Sequence, residues 1–572
     1  DRRAPPGEPA AWLFENLIDC PVAHDAATLS KAFAALKSDP GWVVLGLDYE
    51  LGYLLEPKSA PPAWQPSEDR PLARFWRFAK CTPLGSEAAE AWLAAQAGDA
   101  AAGVGEIRPS LSENEHAAAV QRIKQLISEG DCYQVNLTYQ NDFSWFGSPL
   151  ALYARLRPMQ PVRYGGFVGN GRQGIVSLSP ELFLEKKAGH LVTRPMKGTA
   201  PRSASPDVLR ASAKDQAENL MIVDLLRNDL GRIAEQGSVT VDRLFDIEDY
   251  PTVWQMVSEI SARIGQQGLA DVLPALFPCG SITGAPKIRA MQIISQLESQ
   301  PRGLYTGALG WLAPNGDFRL NVAIRTLELA ADGTGKLGVG GGIVADSVAS
   351  AEWQESQLKA GFLKRCDPGF KLIETLRREE GAYPRLGWHL VRLQRSAECF
   401  GFGLDVDEVQ RQLDAQPKQG LWRVRLVLDK AGTIEVQAFA MTDEPMTGRL
   451  ARIAECSIGA GDLLRRHKTT QREIYDAALA TLAPGSAIFD VLFLNERGEV
   501  AEGARSNVFV ERDGVLLTPP LSSGCLPGVL RAELLDSGQA REAVLWAADL
   551  TSGFWLGNAL RGLIPVRLEG AG

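Results

Sequence analysis

Three groups of residues in this 572-residue chain have types and spacings that suit chemistry. In the first, Glu181 opens the apolar run Leu182-Phe183-Leu184, Ala188-Gly189 turns the chain, Leu191 and Val192 return it, and Lys197 follows between Pro195 and Gly198. Two short apolar runs about a glycine turn predict a hairpin. Proline before the lysine and glycine after it predict a stiff, narrow loop. The second group is acidic. Asp215 and Glu218 share one face of a helix expected over residues 213–226, and Glu352, Glu355 and Lys359 share a face of another, at i, i+3 and i+7. Each pair alone reads as solvated surface. Two pairs meeting across a cleft would offer oxygen donors of the kind Mg²⁺ takes, with water and substrate oxygens completing its shell. The third group is Lys468 ahead of a helix through Tyr475, with Glu502 and the turn Leu526-Pro527-Gly528-Val529 further on. A lone lysine leading into a helix is normally surface.

The elements that must position these groups can be read from periodicity. Residues 113–129 form an amphipathic helix stopped at Gly130, and a strand over 131–138 carries the neutral amide of Gln134. Residues 278–287 lead into a helix whose first turn suits Pro286; the spacing is not that of a P-loop. Strands are expected over 303–312, with Tyr305, and over 318–329, with Arg325. The glycines of residues 338–346 match a relaxed dinucleotide pattern without a clear βαβ unit. They read instead as a loop where backbone approaches ligand, because consecutive glycines weaken a strand. Asp367-Pro368-Gly369 marks the main boundary, at about residue 366. Beyond it come a strand over 370–376, a helix over 388–400 with His389, Arg392 and Arg395, and strands over 423–428, 433–439 and 488–494. The expected class is α+β.

Composition narrows the function. A net charge of −9 without a basic block argues against nucleic acid. The eight cysteines are scattered without a Cys-x-x-Cys pair, which fits reduced thiols. None of the five histidines is paired at metal-ligand spacing. No apolar run reaches transmembrane length and the start has no signal-peptide pattern, so a soluble cytoplasmic protein with no membrane partner is expected.

Residues 110–362 resemble the chorismate-utilising enzymes. The resemblance rests on Ser179-Pro-Glu181, Arg194-Pro-Met-Lys-Gly-Thr199, the run from Ala217 to Asp229, Thr283-Gly-Ala-Pro-Lys287, residues 338–347 and Glu352-x-x-Glu355. It implies large antiparallel sheets flanked by helices over residues 1–365. In that family, anthranilate synthases carry alanine where this chain has Lys197, and aminodeoxychorismate synthase component I carries the lysine. Gln134 falls where isochorismate and salicylate synthases place a water-activating lysine. Met196 replaces a commoner isoleucine, and Gln255 stands where many relatives carry histidine. The resemblance implies Mg²⁺ on Glu218 and Glu355, supported by Asp215 and Glu352. It implies chorismate held by Thr283, Tyr305, Arg325, Lys359 and the amides of Gly340, Gly341 and Gly342. Lys197 would attack C2 while Glu181 protonates the departing C4 hydroxyl, so the lysine must be neutral and the glutamate protonated, against ordinary values of roughly 10.4 and 4.3. Burial moves both that way.

Residues 370–567 resemble the fold-type IV pyridoxal-phosphate enzymes, a fold of two α/β subdomains. Here Lys468 would carry the cofactor as a Schiff base and Glu502 would pair with the pyridine nitrogen. Arg392 and the amides of Val529 and Leu530 would bind phosphate, with Ser506-Asn507 as a further cofactor signature. Together the resemblances imply an enzyme that makes 4-amino-4-deoxychorismate from chorismate and ammonia, then 4-aminobenzoate and pyruvate, in folate synthesis. No glutaminase is visible, so ammonia would come free or from a separate glutamine amidotransferase subunit. A homodimer through the C-terminal half is implied. Two alternatives stay open: an anthranilate synthase component fused to a D-amino-acid-type aminotransferase, and a chorismate-binding protein with one degenerate module.

Overall fold

The computed structural model describes residues 8–250, 253–442, 447–483 and 485–570, and the chain divides into two compact units. One comprises residues up to 100, 107–143 and 148–366; the other comprises 101–106, 144–147 and 367 onward.

Among the described residues, the first unit contains an eleven-stranded and a seven-stranded sheet. In the larger, Trp42–Leu47, Ala308–Leu312, Phe318–Val322, Leu182–Lys187, His190–Arg194, Val253–Arg263 and Met196–Pro201 lie side by side in that order. Central strands are buried on both faces: five of the six residues of Trp42–Leu47 are buried. Val43, Leu45 and Leu47 enter the core with Leu184, Leu191, Ile260 and Leu320, against Ile222, Val223, Leu226 and Leu230 of the helix Ala213–Gly231. The Leu182–Lys187 and His190–Arg194 hairpin forms as expected, with Ala188 and Gly189 at positive φ in the turn.

Several element boundaries differ from the expectation, each for a physical reason. Lys197 lies not in a loop but in the strand Met196–Pro201, which pairs with Val253–Arg263. The register slips between Met196 and Thr199, so Lys197 and Gly198 sit at a bulge, the usual device for re-aiming a side chain within a sheet. Residues 318–329 are two strands. Phe318–Val322 belongs to the larger sheet and Thr326–Leu329 to the smaller, and the crossover puts Arg325 at φ 49°. The glycines of residues 338–342 are in a strand, Thr334–Ile343. They are tolerated because neighbours fill the space a side chain would need: a Cβ at Gly338 would meet the Tyr305 ring at 2.1 Å, and one at Gly340 would meet Leu137 O at 2.2 Å. Tyr305 itself is in a turn before Ala308–Leu312. The acidic helix runs to Gly231, five residues past the expected end, because Arg227-Asn-Asp carries no stop signal.

The second unit pairs a three-stranded antiparallel sheet with an eight-stranded mixed one. Leu372–Glu379, Leu421–Leu428 and Ile434–Ala440 form the former. Leu393, Ala397 and Phe400 of the helix Leu386–Phe400 cover it, packing on Leu372, Leu376, Val424 and Leu426. In the larger sheet Arg449–Ile453 runs parallel to Ile488–Leu494 and Gly562–Leu568. Among the described residues the eight cysteines form no disulfide. No helix among the described residues is long and apolar enough to cross a membrane.

Candidate active sites

In the first unit, Glu181 sits immediately ahead of its strand. Ser179 Oγ donates to Val322 O at 2.6 Å and Val322 N donates to Glu181 O at 3.1 Å, which pins the backbone. The Glu181 side chain is buried, and Ser281 Oγ donates to its Oε1 at 2.6 Å. Burial pushes the carboxyl up to about 7, while Ser281, the Met196 amide and Lys197 pull it back. Ser281 lies in the 278–287 segment, and nothing in its spacing marked it; only the fold carries it to Glu181.

The Lys197 bulge is held by amides. Gln255 Nε2 donates to Gly198 O at 2.8 Å and Thr199 Oγ1 donates to Gln255 Oε1 at 3.0 Å. Asn219 Nδ2 reaches Lys197 O at 3.3 Å and is itself fixed by Ser258 Oγ at 2.6 Å. Gly198 has φ 100°, and a Cβ there would press on Asp215 at 3.0 Å. Gln255, a departure from the resembled pattern, therefore has a defined place as a clamp on this turn. Lys197 Nζ lies 2.9 Å from Glu218 Oε2, an ion pair, so the amine is engaged rather than free.

The glycine strand faces these groups. The position a Cβ would take on Gly342 is 2.8 Å from Gln134 Nε2 and 3.0 Å from Lys197 Nζ. Gln134 Oε1 is buried and without a hydrogen-bond partner. The equivalent position on Gly341 is 3.3 Å from Glu352 Oε2 and 3.7 Å from Lys359 Nζ. Lys359 also donates to Gly340 O and pairs with Glu355, both at 2.8 Å. Arg325 Nη1 donates to Gln160 Oε1 at 2.8 Å, and the Thr283 hydroxyl is turned back on the carbonyls of Cys279 and Gly280. Thr283 therefore shapes its own turn.

The expected metal ligands are less gathered. Glu218 carries Lys197 and Glu355 carries Lys359, while the Asp215 carboxylate accepts from Ser212, which caps the same helix. Among the described residues no three His, Cys, Asp or Glu side chains come together as a metal site. The available donors are carboxylate oxygens alone, the chemistry that suits Mg²⁺.

In the second unit, residues 468–470 are clipped to the strand Leu372–Glu379 through Ile373 N to Lys468 O and Thr470 N to Lys371 O, both 2.9 Å. Burial first, then Arg392 and Arg472, pull the Lys468 amine down to about 8, with Glu374 and Glu502 opposing. Glu374, not singled out by the sequence, gathers Arg392 (Nε to Oε1, 2.8 Å) and His389 (Nδ1 to Oε2, 2.6 Å). Burial alone would raise the Glu374 carboxyl, but Arg392 and His389 hold it down to about 2. Arg392 Nη1 also donates to Pro527 O at 3.3 Å, which places the guanidinium beside the turn ahead of the helix Val529–Asp536. No side chain caps that helix. Its N-cap Gly528 could carry no Cβ, which would fall 1.8 Å from Asn507 Oδ1, and Asn507 Nδ2 holds Leu526 O at 2.9 Å. The Ser506 hydroxyl donates to Asp490. Glu502 is buried, and burial pushes its carboxyl up to about 7.

Each of the two units matches a known family. The chorismate binding enzyme family matches residues 19–365, and the amino-transferase class IV family matches residues 371–568; the chain belongs to the chorismate binding enzymes. It is similar to aminodeoxychorismate synthase component 1 of Klebsiella aerogenes, 42% identical over 277 residues that make up 46% of this chain and 61% of that protein. Anthranilate synthase component 1 of Pseudomonas aeruginosa is 40% identical over 258 residues, 44% of this chain and 52% of that protein. Among solved structures, anthranilate synthase component I from Streptococcus pneumoniae has a TM-score of 0.54 at 26% identity, covering 63% of this chain and 93% of that one. The chain spans less than two thirds of the length of the curated relatives it matches first.

One consequence of the Ser281 contact is measurable. Ser281→Ala removes a donor to the ionised form of Glu181, so the carboxyl rises further and stays protonated to higher pH. The titration midpoint of the Glu181 carboxyl is expected to move up by about one unit. Carbon-13 NMR of labelled glutamate carboxyls, wild type against variant, reads the shift, and an unmoved midpoint removes Ser281 as the donor that matters.

Proposed function

We propose that the chain is a two-step enzyme of 4-aminobenzoate formation, aminating chorismate in its first unit and cleaving the product in its second. The observation that carries this is the Lys197 amine, set at a bulge opposite Gly342 and close enough to the buried Glu181 to act on its charge. A nucleophile beside an acid with a pKa of about 7 is what displacement of a poor leaving group needs. Similarity to aminodeoxychorismate synthase component 1 supports the same choice of product.

In the first unit, Lys197 Nζ forms a bond to ring C2 as the C4–O bond breaks, and Glu181 gives its proton to the departing oxygen, releasing water. Ammonia then bonds to C4, the lysine leaves C2, and the ammonia proton restores Glu181. The uncharged Gln134 beside Lys197 offers no base to activate water in place of ammonia. Arg325, Tyr305, Lys359 and the glycine strand bind the carboxylates and the enolpyruvyl group. Glu218 and Glu355, with Asp215 and Glu352 behind them, would hold Mg²⁺, which supplies positive charge to the ring carboxylate. Thr283 holds its own turn, through the carbonyls of Cys279 and Gly280.

The class IV aminotransferase match implies pyridoxal phosphate in the second unit. The residues present fit it: a lysine with a lowered pKa, a buried carboxyl, a guanidinium at the turn and an uncapped helix start of the kind that receives phosphate. Bound there, it supplies an electron sink. Lys468 removes the proton from C4 of the amino product. The enolpyruvyl oxygen then leaves the neighbouring carbon, giving pyruvate and the aromatic ring. Arg392 and the Val529 and Leu530 amides would hold the phosphate, Ser506 and Asn507 would line the site, and Glu502 would pair with the ring nitrogen.

The test supplies chorismate, ammonium, Mg²⁺ and pyridoxal phosphate to the pure chain. It is expected to produce 4-aminobenzoate and pyruvate in equal amounts, and anthranilate as the sole aromatic product refutes the reading. With glutamine in place of ammonium the pure chain is expected to be inactive until a separate glutamine amidotransferase subunit is added.

A further inference from the structure

Tyr475 is the one buried residue of the helix Glu473–Ala480. Its ring packs among Ile458, Val491, Phe493, Ala501 and Ala504, with the Phe493 centroid 5.2 Å away and edge-on. A phenylalanine would fill that space as well, and a buried hydroxyl costs free energy unless it is hydrogen-bonded. Here it is bonded twice. Arg465 Nη1 donates to the Tyr475 oxygen at 2.8 Å, and the Tyr475 O–H donates to Glu502 Oε1. The other carboxyl oxygen of Glu502 accepts Leu526 N at 2.8 Å. Glu502 is thus gripped through both oxygens, and one grip leads through a phenol to a guanidinium.

We propose that Tyr475, backed by Arg465, is a positioning residue for Glu502, and that the Arg465–Tyr475–Glu502 chain holds this carboxyl ionised and in one orientation as partner to the cofactor ring nitrogen. This rests on reading the second unit as a pyridoxal-phosphate enzyme. A ring nitrogen keeps its proton only against a charged carboxylate, and a carboxylate this buried drifts toward its neutral form unless donors oppose it. The groups facing it come from every side: Tyr475 from the helix, Arg465 from the segment Leu463–Arg466, Lys468 from the clipped segment, and the Leu526 N–H and Cys525 thiol from the turn. Of these, Tyr475, Leu526 N–H, Arg465 and Lys468 all favour the charged form. Burial pushes the Cys525 thiol up to about 12, so it is neutral and adds no competing charge. Arg472 stands 5.3 Å from the Tyr475 ring centre, a second cation against the same phenol. Burial and Glu502 push the Tyr475 hydroxyl well above its ordinary value, so it stays a donor throughout the working range.

The test uses the full chain as wild type, Tyr475→Phe, Arg465→Gln and Arg465→Lys. Pyridoxal phosphate is titrated in by absorbance and fluorescence, and the rate of the second step is followed against pH. Tyr475→Phe is expected to bind pyridoxal phosphate about tenfold more weakly, for one lost bond to a charged group. The acid limb of its kcat should move to higher pH by about one unit, with KM within twofold of wild type. Arg465→Gln is expected to move the limb the same way by less, and Arg465→Lys to restore most of it. This second pair keeps Tyr475 in place, so it reads the same effect even if the phenylalanine variant folds poorly. If wild type binds the cofactor while Tyr475→Phe and Arg465→Gln show its affinity and its acid limb, the tyrosine only fills the core and the proposal fails alone. A wild-type chain that takes up no pyridoxal phosphate overturns this proposal together with the reading beneath it.

Discussion

Lys197→Ala is expected to lower the formation of 4-amino-4-deoxychorismate by at least about 10³-fold while chorismate still binds. A nucleophile that bonds to the substrate divides one difficult displacement into two easier ones, and a tethered amine reaches effective concentrations no free amine can match. Both advantages vanish with the side chain. The groups proposed to bind chorismate do not: Arg325, Tyr305 and the glycine strand are positioned by their own elements, and the Gln255 and Asn219 clamps grip main-chain carbonyls that alanine keeps. Loss of the amine also leaves Glu218 without its 2.9 Å partner, which should cost little because that carboxylate remains within 4.0 Å of Lys214. The measurement is single-turnover product analysis alongside the chorismate dissociation constant. A variant that still makes the aminated product at near wild-type rate rules out the covalent route, and one that stops binding chorismate shows that Lys197 is a ligand instead. A trace of anthranilate from the variant would fit the alanine that the resembled anthranilate synthases carry at this place.

Lys468→Ala is expected to abolish the second step, by about 10³-fold or more, and to remove the absorbance of bound pyridoxal phosphate. The wild-type amine adds a pH signature. An ordinary lysine is almost wholly protonated at neutral pH, but this one is drawn down to about 8 by burial and by Arg392 and Arg472. The neutral amine is the reactive form. Uptake of the cofactor by the cofactor-free chain should therefore rise about tenfold per pH unit below 8 and level off above it. Stopped-flow absorbance across that range reads the curve directly. A rate still climbing well above pH 8 means the lysine is not in the surroundings described, and a flat rate means the amine is not what limits uptake. Activity that survives in Lys468→Ala removes the lysine from the chemistry altogether.

Local pattern carried much of this fold. The hairpin about Ala188-Gly189, the amphipathic helix of residues 113–128, the break at Asp367-Pro368-Gly369 and the lysine placed ahead of the Tyr475 helix are all set by residues within a turn or two of one another. What could not be read locally was how strands choose their sheets. Residues 318–329 read as one strand, yet the stretch divides at Arg325 because its halves pair with different partners. Consecutive glycines argue for a loop in isolation, but they form a strand because Tyr305 and the Leu137 backbone occupy the space a Cβ would need. The Pro-Met-Lys-Gly segment was legible as stiff; that it forms a bulged edge, re-aiming Lys197, depends on its register with Val253–Arg263.

The same division runs through the sites. Sequence alone singled out residue types suited to chemistry: the two lysines, Glu181 and Glu502, the acidic helix faces and the run of glycines, because residue type and short-range spacing are properties of the chain. Only the tertiary structure decided their partners. Ser281 lies one hundred positions from Glu181, Glu374 eighteen from Arg392, and Tyr475 twenty-seven from Glu502. Burial raises the Glu181 and Glu502 carboxyls while Arg392 and His389 hold Glu374 down, and both effects exist only once distant segments have closed together. The lysine and the glutamate are therefore visible as a motif in the sequence, and the fold is what buries Glu181 and clamps the backbone at Lys197.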